Sequence, residues 1–250
     1  MTKEFLPNAP LKEVLFEIHW DLEYIPEEKI LFDKGFERAV LNFTRACQQD
    51  FKEVSILKPE NIPPAAFINR VTHRFFKTKG QHPLYQLGPG VFTVNDNNKN
   101  YIWKHFLEMI KNGISCLKSS YEKELVLSKS QLRYIDRVSP YIFGDNDKFN
   151  FLRDHLQVNV ETYPFVEGEL TNIQFTKNFT IDHESSLNLI VSTGVDRDTK
   201  DDVIEWHTFV SNSKRLSWEE LIDWVQKAHK ICSNTFKNMV SNELYEHFSQ

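Results

Sequence analysis

Between Val14 and Trp20, apolar and polar residues alternate: Val14, Phe16, Ile18 and Trp20 fall on one side, Glu17 and His19 on the other. A two-residue period of this kind predicts a half-buried strand. Pro26, followed by Glu27 and Glu28, suits the first turn of a helix. Phe32, Phe36, Val40, Phe43, Cys47 and Phe51 then recur at three- and four-residue steps, which predicts an amphipathic helix with an aromatic core stripe. Pro59, Pro63 and Pro64 mark a loop. Two extended runs, 67–79 and 84–95, are separated by Gly80-Gln81-His82-Pro83 and predict a hairpin. A second helix is expected from Tyr101, with Trp103, Phe106, Ile110, Ile114, Leu117 and Tyr121 on one face. A strand over 132–138 ends before Pro140.

Gly144-Asp145-Asn146-Asp147 reads as a linker or inter-lobe turn, and the pattern beyond it is nearly all β. Strands are expected over 155–163, 170–181, 187–195 and 203–211, with the acidic tract 196–202 as an exposed hairpin tip. That tract lacks the glycine and the distal glutamate of a calcium loop. Ser217-Trp218-Glu219-Glu220 is a capping box, flanked by Leu216 and Leu221 as a hydrophobic staple. Ile222, Val225, His229, Cys232, Phe236 and Met239 continue one face of the helix it opens. The expected fold is α+β. Residues 1–143 form a β-α-β-β-α-β half in ferredoxin-like order. Residues 144–250 form an antiparallel meander closed by a long C-terminal helix, either as a second unit or as part of one continuous domain.

Composition narrows the function classes more than it names one. The 20 phenylalanines supply a sizeable core. Lys and Arg number 30 against 35 Asp and Glu, a net charge of −5, and nucleic-acid-binding domains ordinarily carry a basic surplus. Three well-separated cysteines suit buried thiols in a reducing compartment better than a disulfide framework. The N-terminal stretch lacks the apolar run of a secretion signal, and no stretch of 18 uninterrupted apolar residues occurs. A cytoplasmic protein without membrane contact is expected.

The common catalytic signatures fail one by one. There is no phosphate-binding G-x-x-x-x-G-K-[ST], no G-x-S-x-G elbow, no H-E-x-x-H and no C-x-x-C pair. Gly88-Pro89-Gly90 lacks the third glycine of a dinucleotide fingerprint. No catalytic residue, metal site or cofactor is expected. His105 and His229, on or beside apolar helical faces, read as hydrogen-bonded structural histidines.

The candidate contact residues are polar positions in strand-like runs. Arg70 and Arg74 lie in the tract 70–79, where basic and aromatic residues interleave as on sheets that stack bases, or as edge-protecting charges. Gln86, Asn95 and Arg133 must find partners if buried, and Gly88 permits a close backbone approach. Glu205 and His207 flank Trp206, with His207 where an acid-x-Lys nuclease core would place lysine.

Three segments together resemble a known family. Asn8-Ala9-Pro10-Leu11-Lys12-Glu13-Val14-Leu15-Phe16-Glu17-Ile18 resembles the opening of a sporadically distributed group of bacterial and archaeal proteins of about this length. Tyr85-Gln86-Leu87-Gly88-Pro89, Val94-Asn95 and Tyr101-x-Trp103 resemble its central stretch, with the Tyr-to-Trp spacing one residue shorter. Leu132-Arg133-Tyr134-Ile135-Asp136 resembles its L-R-Y-I-N, with Asp136 in place of Asn. The family is functionally uncharacterised, so the resemblance implies a full-length unit and no residue roles. Sporadic distribution fits an accessory gene of mobile or defence loci. The leading expectation is a non-enzymatic binding or assembly module whose partner is a protein, either itself or a neighbouring gene product. A hydrolase or nuclease with a discontinuous site, and a nucleic-acid-binding sheet, are the alternatives.

Overall fold

Strand β1 (Leu11–Trp20) carries the alternation into three dimensions. Val14, Phe16, Ile18 and Trp20 are buried, while Glu13, Leu15, Glu17 and His19 occupy the other face. The computed structural model describes residues 6–57, 62, 64–144, 147–160, 167–168 and 170–250. The remaining elements, in chain order, begin with β2 (Glu23–Ile25), β3 (Ile30–Phe32), α1 (Phe36–Cys47), β4 (Glu53–Ile56) and a short 3₁₀ turn, Pro64–Phe67. After these come β5 (His73–Phe76), β6 (Leu84–Gly88), β7 (Val91–Asp96), α2 (Trp103–Ser120), β8 (Leu127–Val138) and α3 (Lys148–Leu156). The chain closes with β9 (Gln174–Thr180), β10 (Ser185–Val195), β11 (Asp202–Asn212), α4 (Trp218–Met239) and α5 (Asn242–Ser249).

Nine strands form one sheet in the order β4-β5-β6-β7-β1-β8-β11-β10-β9, antiparallel at every pairing. The fold is thus α+β, as expected. Four neighbours, β8-β1-β7-β6, with α1 and α2 between them in the chain, reproduce the ferredoxin-like order. The strands in its second and third places are not the expected ones. The run 84–95 is two strands, β6 and β7, folded back at Pro89-Gly90, where Gly90 takes φ 78°. Proline cannot donate to a ladder, and glycine supplies the positive φ such a tight turn needs. The run 67–79 shortens to β5, which forms the expected hairpin with β6.

Burial is one-sided. By strand register, Phe16, Phe75, Tyr85, Phe92, Leu132, Trp206 and Val191 all point to the same face, and the helices pack there. Two adjoining cores result. The first gathers α1, α2 and the start of α4 over β1, β6, β7 and β8, with the Phe43 ring 4.9 Å from Phe75 and 5.6 Å from Phe92. The second gathers α3 and α5 over β10 and β11, around Phe151, Leu189, Val191 and Trp206. Each fully buried large side chain contributes about 1.5–3 kcal/mol relative to exposure. Helix α4 serves both, with Trp224 and Cys232 in the first core and Met239 in the second. Its capping box is present as read: Ser217 accepts from the Glu220 amide, and Glu220 accepts from the Ser217 amide.

Several local expectations are overturned. Pro26 does not open a helix: 23–32 form the small hairpin β2–β3, and α1 starts only after Gly35 at φ 92°. Strands of three residues are too short to show a period. Residues 155–156 end helix α3 instead of starting a strand, and 161–163 of that expected strand lie outside the described residues. Asp147, read as linker, is the N-cap of α3 and accepts from the Phe149 amide. Asp145 and Asn146 lie outside the described residues. Helix α5, capped by Ser241, was not expected. Among the described residues, no helix is long and apolar enough to cross a membrane.

Gly88 has the closest backbone neighbour of any glycine in the fold. A Cβ placed there would sit 1.9 Å from the Arg70 carbonyl oxygen. Gly88→Ala must push two backbone segments apart, and overpacking of this kind costs about 1–3 kcal/mol. Urea denaturation of Gly88→Ala is expected to show a lowered midpoint at an unchanged slope; a parental midpoint would contradict this packing.

Candidate functional site

The sheet face turned away from the helices collects most of the candidate contact residues. Arg74 Nε donates to Gln86 Oε1 at 2.9 Å, and Gln86 Nε2 donates to Thr93 Oγ1 at 3.0 Å and to Asn95 Oδ1 at 2.8 Å. Asn95 Nδ2 donates to Glu13 Oε1 at 2.5 Å. This chain crosses β5, β6, β7 and β1, and it uses up the polar groups that strand alternation places there. Arg133 lies over the Phe209 ring, 4.5 Å from its centroid. Arg70 stands apart, exposed in the bend before β5, its carbonyl against Gly88.

Glu205 and His207 do meet, with His207 Nε2 2.9 Å from Glu205 Oε1. The same carboxylate accepts two hydrogen bonds from Arg137, at 2.9 and 2.6 Å, and Arg137 reaches Asp196 at 2.9 Å. Burial alone would raise the Glu205 carboxyl, but the His207 and Arg137 hydrogen bonds outweigh it and hold it below its ordinary range. An ionised carboxylate already saturated by an arginine and a histidine is poorly placed to take a proton from a substrate. Among the described residues, no three His, Cys, Asp or Glu side chains converge as metal ligands would.

A different set of residues meets on the helix side. At the seam of the two cores, β8, β11, α2, α4 and α5, with the segment before β1 and the loop before α2, line a half-open cavity of about 350 Å³. Strand alternation puts Tyr134 and Asp136 of β8 on its floor, with Thr208 of β11 paired to Tyr134. Trp103 opens α2, and its ring stacks on His229 of α4 at 3.8 Å. Tyr134 Oη lies 2.8 Å from His229 Nδ1 and 3.0 Å from Tyr101 Oη.

Burial sets the protonation states here. Desolvation, with a smaller contribution from Lys237, lowers His229 to about 4, so its imidazole is neutral at physiological pH. The neutral imidazole shares one hydrogen bond with the Tyr134 hydroxyl, and Tyr134 shares a second with Tyr101. Both phenols are pushed up by burial and stay protonated. Cys232 also lines the cavity, but burial pushes its thiol up to about 12, far from a thiolate nucleophile.

Asp136 is the exception within this satisfied set. Its side chain is 5% exposed, and no described residue offers it a hydrogen bond or an ion pair. Desolvation raises its carboxyl to about 7. The Thr208 hydroxyl beside it is also buried without a partner. Asp136 and His229 have therefore exchanged their ordinary order of titration, with the acid holding its proton to a higher pH than the imidazole. Every other charged lining residue is a lysine: Lys99, Lys104 and Lys237, all exposed. The cavity is thus apolar in its walls, unsatisfied at its floor and cationic at its mouth.

None of the eight candidate contact residues lines this cavity. Tyr101, Trp103 and His229 read from sequence as core positions on apolar helix faces. The signal that could have found the site is Asp136, a carboxylate in phase with Leu132, Tyr134 and Val138 on the buried face of a strand. Compared with protein-family models, curated proteins and solved structures, the chain matches none of them.

The folded chain keeps on Asp136 a proton that an unfolded chain releases near 3.8, so stability falls as pH climbs from about 4 through about 7. Asp136→Asn removes that slope. The variant is expected to melt several degrees above the parent at pH 8, at about 2–4 °C per kcal/mol for a chain of this size, with the gap closing by pH 4. Calorimetric melts at pH 4, 6 and 8 measure it; a constant gap would show that Asp136 ionises normally. His229 adds the opposite slope between about 4 and 6.5 in both proteins and cancels.

Proposed function

We propose that the protein is a non-enzymatic binding module whose ligand is a small organic anion seated in the cavity between β8, β11, α2, α4 and α5. The observation that carries this reading is Asp136, 5% exposed and given no partner by any described residue, on the floor of a cavity whose other charged lining residues are three lysines. A ligand that donates to this carboxyl gains a hydrogen bond that the described protein groups leave unmade, worth about 1.5–3 kcal/mol when the acceptor is charged. The lysines at the mouth draw anions locally to a protein whose net charge is −5. The volume lies near the lower end of small-molecule sites.

The resemblance adds one point of support. Each of its three segments contributes to the cavity wall: Pro10 and Leu11 from the first, Tyr101 and Trp103 from the second, Tyr134 and Asp136 from the third. A small-molecule occupant departs from the expected protein partner; binding is the part of that expectation carried forward, and assembly is not. Neither alternative gains support on the open face, where Glu205 is committed to Arg137 and to His207, and where Glu13 and Glu17 accompany Arg74 and Arg133.

An anionic aromatic probe tests the reading directly. 1-Anilinonaphthalene-8-sulfonate is expected to bind the native protein at one site, followed by its fluorescence. Ser233→Trp, which fills the cavity from α4, is expected to abolish that binding without changing the circular dichroism. Lys104→Ala combined with Lys237→Ala is expected to weaken it about tenfold, at about 0.7 kcal/mol per lost charge contact. Binding that survives Ser233→Trp would place the probe elsewhere and sink the proposal.

A further inference from the structure

The floor and mouth of the cavity differ so sharply that they constrain the ligand beyond its charge. At the floor, Asp136 carries two carboxyl oxygens to which no described residue donates, and the Thr208 hydroxyl stands diagonally across the β8–β11 pair from it. Once its proton is shed, the carboxylate presents two adjacent acceptor atoms, which call for two adjacent donors on one rigid edge. Among the nucleobases only guanine has this edge, a ring N–H next to an exocyclic amino group. Adenine and cytosine set one amino donor beside an acceptor, and uracil sets one N–H between two carbonyls. The walls are apolar and aromatic, with Ile102, Trp103 and Phe236 offering surface to a flat ring. The exposed lysines of the lining are available to a charged group attached to the far side of that ring. About 350 Å³ suits one base with its sugar and phosphate and leaves no room for a second base.

We propose that the cavity binds a guanine nucleoside monophosphate, its base edge on Asp136 and its phosphate between Lys99, Lys104 and Lys237. This rests on the reading of the cavity as a small-anion site. Asp136 accepts from the ring N–H and the amino group, Thr208 turns its hydroxyl to whichever base atom reaches it, and the lysines neutralise the phosphate. A pterin carrying a carboxylate tail presents the same two-donor edge, so it forms a separate arm of the test.

Calorimetric titration of the full chain with 5′-GMP, IMP, AMP, guanosine and folate decides the matter. GMP is expected to bind. IMP, which lacks the amino donor, should bind about tenfold or more weakly than GMP, the usual range for losing half of a bidentate base contact. Guanosine should also bind at least about tenfold more weakly, because it leaves the lysines unused. In Asp136→Asn the preference for GMP over AMP should collapse while phosphate-dependent affinity persists. At pH 6 to 7 the binding heat should vary with the ionisation enthalpy of the buffer, since a carboxylate receiving two donors sheds its proton. Equal affinity for GMP, IMP and AMP would overturn the base assignment, as would folate binding where GMP does not. If none of these ligands binds while the sulfonate probe remains sensitive to Ser233→Trp, the nucleotide inference fails and the small-anion site stands. If the probe is also insensitive, both fail.

Discussion

Strand β8 is hydrogen-bonded along both edges, to β1 on one side and to β11 on the other, and this double pairing holds the nine-stranded sheet together. Its residues alternate between a face under the helices and a face under none. Leu132 therefore belongs to the first core, Val138 to the second, and Tyr134 and Asp136 to the interval between them. A slip of one residue would move all four to the wrong face, so register and burial enforce one another. The cavity follows from the same constraint. Two helical layers of different composition settle on one continuous sheet, and the seam falls over the C-terminal half of β8.

Much of this was legible where one physical signal dominated. The alternation of β1, the aromatic stripe of α1, the capping box of α4 and the 196–202 hairpin tip each follow from local chemistry that tertiary packing does not override. The losses have causes as definite. Helix α3 and the short hairpin β2–β3 offer too few residues for a period to emerge. Pro89-Gly90 lies inside an otherwise unbroken apolar run, and reading it as one strand concealed a turn. The site was the least visible part, because a cavity arises from residues on five elements that share no motif. Candidate residues chosen for polarity in strands landed instead on the open face, where hydrogen bonds to neighbouring strands occupy Gln86, Asn95 and Glu205.

The two faces of the sheet illustrate opposite ways of managing polar groups. On the open face, charge is abundant and neutralised in place, as with Arg137 between Glu205 and Asp196. Under the helices, polar groups are few, and each must be paired at atomic precision or remain a source of instability. Tyr101, Tyr134 and His229 are paired into one hydrogen-bonded chain. Asp136 is left over, and burial makes it hold its proton well above the ordinary carboxylate range.

The seam has a mechanical corollary. Helices α2 and α4 meet across it at Trp103 and His229, and beside that contact a half-open gap of about 350 Å³ leaves facing side chains without packing neighbours. Side chains that face a gap lose the dispersion contacts of a packed interior, so this join is the cheapest place for the two helices to shift. Occupancy supplies those contacts, so the molecule is softest along the seam when empty and stiffens as the seam is filled.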